Sequence, residues 1–340
     1  MGKNRIEYFD VLRGVAIICV IAIHSFIGLE DITLRSLSFH VAIIWRQLIG
    51  CAVPVFLAIS GFFLSQKKVD SMENYVSFIS KQIPRVYIPM LIWSFPYFTL
   101  SIICSKNLLS SFLYLITGGY SVYYFVILIV QYYLLLPQLQ RLAMRKSGVI
   151  ISSIISAICM LVLFYLTRIQ KISIPLVVYA GPFPVWIVFF VIGLYLGKNK
   201  IKIECRKLIL FTTLGLILSI VETYLHIYVS QSFVGLGIKI GSFAYSFSII
   251  LLLFSLNTSY KSNSFLWRFF VYLGQISFGI YLIHIYILRF TRVIVSKLVI
   301  SNYYFINQLF LITLTLTFSV SIIYLARKIN KQLATKYLGL

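Results

Sequence analysis

Acidic side chains are scarce in this sequence. Its 340 residues include 8 Asp and Glu against 30 Lys and Arg, and only 11% are charged. A soluble domain carries about 25% charged residues. A water-exposed surface built from this composition would be left with large apolar patches. Cysteine is also sparse. Cys19, Cys51, Cys104, Cys159 and Cys205 are odd in number, form no C-x-x-C and lie mostly in apolar runs, so neither a disulfide framework nor a zinc site is expected. There is no low-complexity tract and no strong internal repeat. No P-loop, HExxH, GxSxG or dinucleotide fingerprint stands in its proper context. Disordered and collagen-like classes are excluded as well.

What the chain has in excess is apolar surface. Hydrophobic residues make up 60% and aromatic ones 16%, with 24 Tyr and 28 Phe, and the mean hydropathy is +0.96. This is the composition of an all-α polytopic bundle in a membrane, with aromatic side chains at the two wet interfaces of each span. A helix needs about 20 mostly apolar residues to cross. About ten segments qualify: 9–28, 41–64, 86–104, 121–138, 148–167, 183–197, 208–228, 234–256, 270–288 and 303–326. The sixth is short and starts after Gly181-Pro182-Phe183-Pro184, which cannot continue a helix. The first resembles a signal peptide, but Arg13 and His24 interrupt it and no small-residue cleavage site follows. An uncleaved first span is therefore expected. The stretch 66–84 reads as a basic connection with a short amphipathic segment on the membrane surface. A single membrane domain over 1–340 without a fused soluble domain is expected, so any chemistry must sit in or against the bundle.

The net charge of +22 would suggest nucleic acid in a soluble protein. Here the basic residues gather between apolar runs, and no nucleic-acid partner is expected. With ten spans and a cytoplasmic N-terminus, twenty Lys and Arg fall at the cytoplasmic ends and nine at the opposite ends, and Arg13 lies inside the first span. The bias places both termini in the cytoplasm. It also permits a second reading, a cytoplasmic vestibule that attracts a polyanionic donor.

Ionisable groups inside a bilayer cost about 2.5–3.5 kcal/mol each on insertion scales and mark functional sites by default. Arg13 and His24 lie in the first span, Glu222 in the seventh and His284 in the ninth. Glu222 is the one acid read as well inside a span; the others fall at ends or in loops. Arg13 and His24 are eleven residues apart, about three helical turns and ~16 Å, so they share a face. The plainer reading is a snorkelling Arg13 and a His24 held for packing. Depth adds a second pattern: His24, Glu222 and His284 all fall in the outer half of their spans and are expected to meet in one polar cavity. His40 and His226 are read as interfacial. Gln47, Ser60, Gln131, Tyr123, Tyr124 and Ser277 fit a lined cavity, and Gly61, Gly193, Gly274 and Gly279 let helices approach closely.

Several of these residues fall in a wider pattern. Arg5, the run from Tyr8 through Ala16 and the pair Arg13…His24 come first. Pro54-Val55-Phe56, Ile59-Ser60-Gly61-Phe62-Phe63, Arg85…Pro89…Trp93, Tyr124-Phe125…Gln131-Tyr132…Leu136-Pro137 and Gly274…Ser277-Phe278-Gly279-Ile280-Tyr281-Leu282-Ile283-His284 follow in order. The chain thereby resembles the membrane acyltransferase family 3, whose mark is an Arg-x10-His pair in the first span. The resemblance implies a multi-pass protein of a bacterial inner membrane. It implies transfer of a short acyl group, most often acetyl from acetyl-CoA, to a hydroxyl of a surface polysaccharide or lipid-linked sugar. His24 is then the essential catalytic residue and Arg13 its partner. The family often has Arg-x-x-Arg entering the third span; here Gln82 takes the first position, leaving Lys81 and Arg85. No metal is implied.

Together these readings give an expected mechanism. Lys81, Arg85 and Arg13 hold the phosphates of acyl-CoA at the basic face. His24 acts as general base on the acceptor hydroxyl, or carries the acyl group itself. Glu222 or His284 orients it. Two other readings stay open: a secondary transporter, in which Glu222 matters more than His24 and activity follows a gradient, and a non-catalytic membrane subunit that binds CoA without turnover. Against the transporter stands the lack of an internal repeat.

Overall fold

A computed structural model describes residues 6–25, 36–104, 107–200, 203–230, 238–256, 260–297 and 304–340. Lys3, Arg5, Arg35, Lys106, Lys202, Glu30 and Asp31, which entered the charge reading, lie outside them. The described residues form helices and connections without strands. In chain order the helices are α1 (Glu7–Ser25), α2 (Leu37–Ile49), α3 (Ala52–Leu64), α4 (Met72–Ile103), α5 (Leu108–Ile116), α6 (Tyr124–Leu134), α7 (Leu136–Leu142) and α8 (Lys146–Phe164), which runs on into a π-helical turn at Tyr165–Ile169. They continue with α9 (Leu176–Ala180), α10 (Phe183–Leu196), α11 (Cys205–Ser230), α12 (Ile240–Ser255), α13 (Phe265–Gln275), α14 (Ser277–Lys297) and α15 (Tyr304–Lys336).

Among the described residues, eight helical stretches are long and apolar enough to cross a membrane, or nine if a bent pair counts as one span. That pair is α6 and α7, which meet at 71°. Pro137 stands in the first turn of α7, where the missing N–H removes a bond that would have continued α6. Of the apolar segment expected at 234–256, described from residue 238, Ile240–Ser255 is helical. Its 16 residues rise about 24 Å, short of a hydrocarbon core of about 30 Å. The 66–84 connection differs from expectation. It is helical from Met72 and continues through Pro84, Pro89 and Pro96 to Ile103 as one 32-residue helix. Ser71 starts it by accepting the N–H of Asn74. The ninth apolar segment, expected at 270–288, is split. Ile276 ends α13, and the span runs from Ser277 to Lys297.

The chain divides into two compact units. The first comprises Met1–Phe56 and Lys200–Tyr324 and holds α1, α2 and α11–α14. In it α1 packs on α12 and α13: Phe9 meets Phe254 with ring centroids 5.1 Å apart, and Tyr8 donates to the Leu253 carbonyl at 2.8 Å. Helix α14 is fixed to α15 by Thr291 and Thr315, fully buried with their hydroxyls 3.0 Å apart.

The second unit comprises Leu57–Asn199 and Leu325–Leu340. Here α3 and α10 touch backbone to backbone: a Cβ at Gly61 would collide with the Phe190 carbonyl, and one at Gly193 with that of Ala58. Tyr132 stacks on Phe190 at 4.3 Å with rings 3° from parallel. Gln131 clamps the break before α10, donating to the Gly181 carbonyl at 2.8 Å and accepting the Phe183 N–H at 3.0 Å. That break begins at Gly181-Pro182, as the sequence indicates.

Candidate active site

The geometry starts on α1. At its N-terminal end Glu7 accepts from the Trp267 indole at 3.2 Å and lies 3.8 Å from the Lys261 ammonium. One turn on, Asp10 is 2% exposed and holds Arg13 through an Oδ1–Nη1 contact of 3.2 Å. Gly274 lets α13 approach α1 closely at this point, since a Cβ there would strike the Asp10 backbone carbonyl. Arg13 is thus anchored by a buried carboxylate rather than simply snorkelling.

At the other end of α1, the rings of His24 and His284 face each other with centroids 5.4 Å apart and planes at 44°. His24 is half-buried and His284 fully so. The Nδ1 of His284 lies 2.7 Å from the Tyr281 carbonyl oxygen. A carbonyl only accepts, so this nitrogen carries the hydrogen. The lone pair of the neutral ring is then at Nε2, which is buried without a hydrogen-bond partner among the described residues. Helix α14 also supplies Arg292, whose Nη2 donates to the backbone carbonyl of His24 at 2.5 Å. A half-buried imidazole backed by a second imidazole of fixed tautomer is a proton-accepting arrangement of the kind used in acyl transfer.

Residues 6–325 match the acyltransferase domain of the acyltransferase 3 family. The chain belongs to that family. No curated protein and no solved structure matches it. The acyltransferase is an integral membrane protein, and its family match runs through both compact units.

The sequence expectation grouped His24, Glu222 and His284. The acyltransferase brings the two histidines together. Glu222 is engaged elsewhere: its Oε2 accepts the Gly241 N–H at 2.7 Å, and its Oε1 lies 4.0 Å from His226 Nε2. It thereby serves the N-terminus of α12, where the unbonded N–H groups and the helix dipole favour a carboxylate. Lys81 and Arg85 stand exposed on α4 in the second unit. Among the described residues no three His, Cys, Asp or Glu side chains converge as metal ligands.

Three charged residues that the structure engages are not singled out by the sequence. Asp10 reads as an acid at a span end, although its i, i+3 spacing to Arg13 signals a pair. Arg292 and Lys239 read only as basic residues on the side opposite the N-terminus. Lys239 is 5% exposed. Its ammonium donates to Gln47 Oε1 at 2.8 Å, to the Ser219 carbonyl at 3.2 Å and to the Thr223 hydroxyl. Gln47, expected to line a cavity, instead joins this polar knot and accepts from Ser219 Oγ at 2.9 Å. On the same two helices, α2 and α11, His40 Nδ1 lies 2.6 Å from the Tyr224 hydroxyl.

Proposed function

We propose that this membrane acyltransferase moves a short acyl group, most simply acetyl from acetyl-CoA, to a hydroxyl of an envelope glycan or lipid-linked sugar at a bacterial inner membrane. The observation that carries the reading is the His24–His284 pair inside a chain of this family. His24 takes the proton of the acceptor hydroxyl as its oxygen attacks the thioester carbonyl. The carbon–sulfur bond breaks, and the proton passes from the imidazolium to the departing CoA sulfur. His284 supplies an acceptor lone pair at Nε2 and orients the His24 ring, the part a carboxylate plays in a triad. Arg13, steadied by Asp10, is assigned to the donor phosphates, where a guanidinium gives charge-assisted hydrogen bonds.

The test is mass spectrometry of surface glycans from a deletion strain complemented with wild type or His24→Ala at matched membrane abundance. An ester-linked acyl mass seen with wild type and reduced at least ~100-fold with His24→Ala is expected, in line with the usual worth of a general base. Equal acylation by both removes His24 from the chemistry. No acyl mass dependent on either protein favours the transporter reading.

A further inference from the structure

Helix α1 is described as far as Ser25, and His24 lies in its last described turn. Arg292 donates to the backbone carbonyl of His24. Arg292 therefore grips the backbone of the residue whose ring faces His284, and both gripping residues come from α14.

The register of α14 makes this contact specific. His284 and Arg292 are eight residues apart, about 12 Å of helical rise, yet both address His24, one at its ring and one at its carbonyl. The helix between them is held in place. Thr291, next to Arg292, is fully buried against Thr315, and Phe290 meets Phe318 edge to face at 6.0 Å. At the near end Tyr281 fixes the His284 ring through its carbonyl. With α14 set in this way, the pose of His24 depends on whether its own backbone is fixed. In the described structure Arg292 supplies that fixing bond.

We propose that Arg292 is a positioning residue for His24, holding the last turn of α1 so that the imidazole stays in register with His284 and the acceptor hydroxyl. The proposal rests on the acyl-transfer reading above. It assigns Arg292 no contact with either substrate. Its loss is expected to lower the turnover rate while leaving donor recognition intact.

The experiment compares wild type, Arg292→Met, Arg292→Lys and His24→Ala, purified in detergent. Each is assayed for release of CoA thiol from acetyl-CoA, with the glycan fraction of a strain lacking the protein as acceptor. Thermal midpoints are measured in parallel. Arg292→Met is expected to lower kcat at least ~10-fold, with KM for acetyl-CoA within about twofold of wild type, as for misplacement of a reacting group. Arg292→Lys keeps one donor and the charge but not the planar fork, and is expected to recover part of the loss. His24→Ala is expected to be inactive. Wild-type turnover by His24→Ala overturns the acyl-transfer assignment and this proposal with it. An inactive His24→Ala beside an unchanged kcat in Arg292→Met overturns the positioning role alone. So does a rise in KM for acetyl-CoA at unchanged kcat, which would mark donor binding. If Arg292→Met fails to fold, Arg292→Lys decides: a folded Lys variant with wild-type kcat overturns the proposal, and one with reduced kcat and unchanged KM supports it.

Discussion

His284 shows how much chemistry one backbone contact can settle. Its Nδ1–H is committed to the Tyr281 carbonyl, so the neutral ring acts only as an acceptor at Nε2. A side chain that backs a catalytic imidazole in this way contributes to turnover rather than to substrate affinity. His284→Ala is expected to lower kcat by about 10- to 100-fold with KM for the acyl donor little changed, the pattern of an interaction made in the transition state. Glu222 is expected to behave in the opposite way. It caps α12 at the Gly241 N–H, so Glu222→Gln is expected to leave transfer within about threefold of wild type and to cost about 1 kcal/mol of stability, the usual worth of a cap. Steady-state kinetics and thermal midpoints on the two variants check both statements. The sequence made the Arg13…His24 pair and the depth of His284 legible, because helical period and distance along a span are properties of one segment. Depth says nothing of azimuth, and for that reason Glu222 could be placed at the level of the histidines but not assigned to α12.

At the scale of elements, the apolar runs were legible and their ends were not. Hydropathy marks where a helix meets lipid; it does not mark where helix geometry stops. Thus α4 begins about four turns before its apolar stretch, and the ninth segment is cut at Ile276 although its hydropathy runs on. Small residues proved more informative. The close approach of α3 to α10 requires Gly61 and Gly193 to lack a Cβ, since both face backbone carbonyls that cannot swing aside. Gly193→Val is expected to lower stability by about 1–3 kcal/mol or more, as overpacking does, seen as a lower thermal midpoint or loss of folded protein from the membrane. The Lys239 knot ties α2, α11 and α12 together, its ammonium donating to Gln47, Ser219 and Thr223. Lys239→Met leaves those buried acceptors without this donor and is expected to cost about 1–3 kcal/mol, read as a lower thermal midpoint in detergent.

At the scale of the whole molecule the question is parity. Among the described residues eight helical stretches qualify as spans outright, the α6–α7 pair makes a ninth if it crosses once, and α12 is a shorter apolar helix. Eight and ten crossings leave the two ends of the chain on one side of the membrane; nine separates them. The distribution of Lys and Arg bears on this choice. Twenty of them gather on one side only if both the bent pair and α12 cross, and Arg327, Lys328, Lys331 and Lys336 then join the side of the N-terminus. Had one of the two failed to cross, every basic cluster after it would move to the opposite side, against the rule that positive loops stay in the cytoplasm. The short α12 can cross if Lys239 at its start, buried among polar partners, lets the bilayer thin or the neighbouring polar groups cover the difference. We expect reporter fusions at both ends of the chain to read cytoplasmic, and a cysteine introduced at Lys261, after α12, to be labelled from the cytoplasmic side as well. With the bent pair crossing, which labelling of a cysteine at Lys171 from the outside establishes, cytoplasmic labelling at Lys261 requires α12 to cross; a C-terminal reporter read outside would mean an odd number of crossings and a charge distribution set by donor binding rather than by topology.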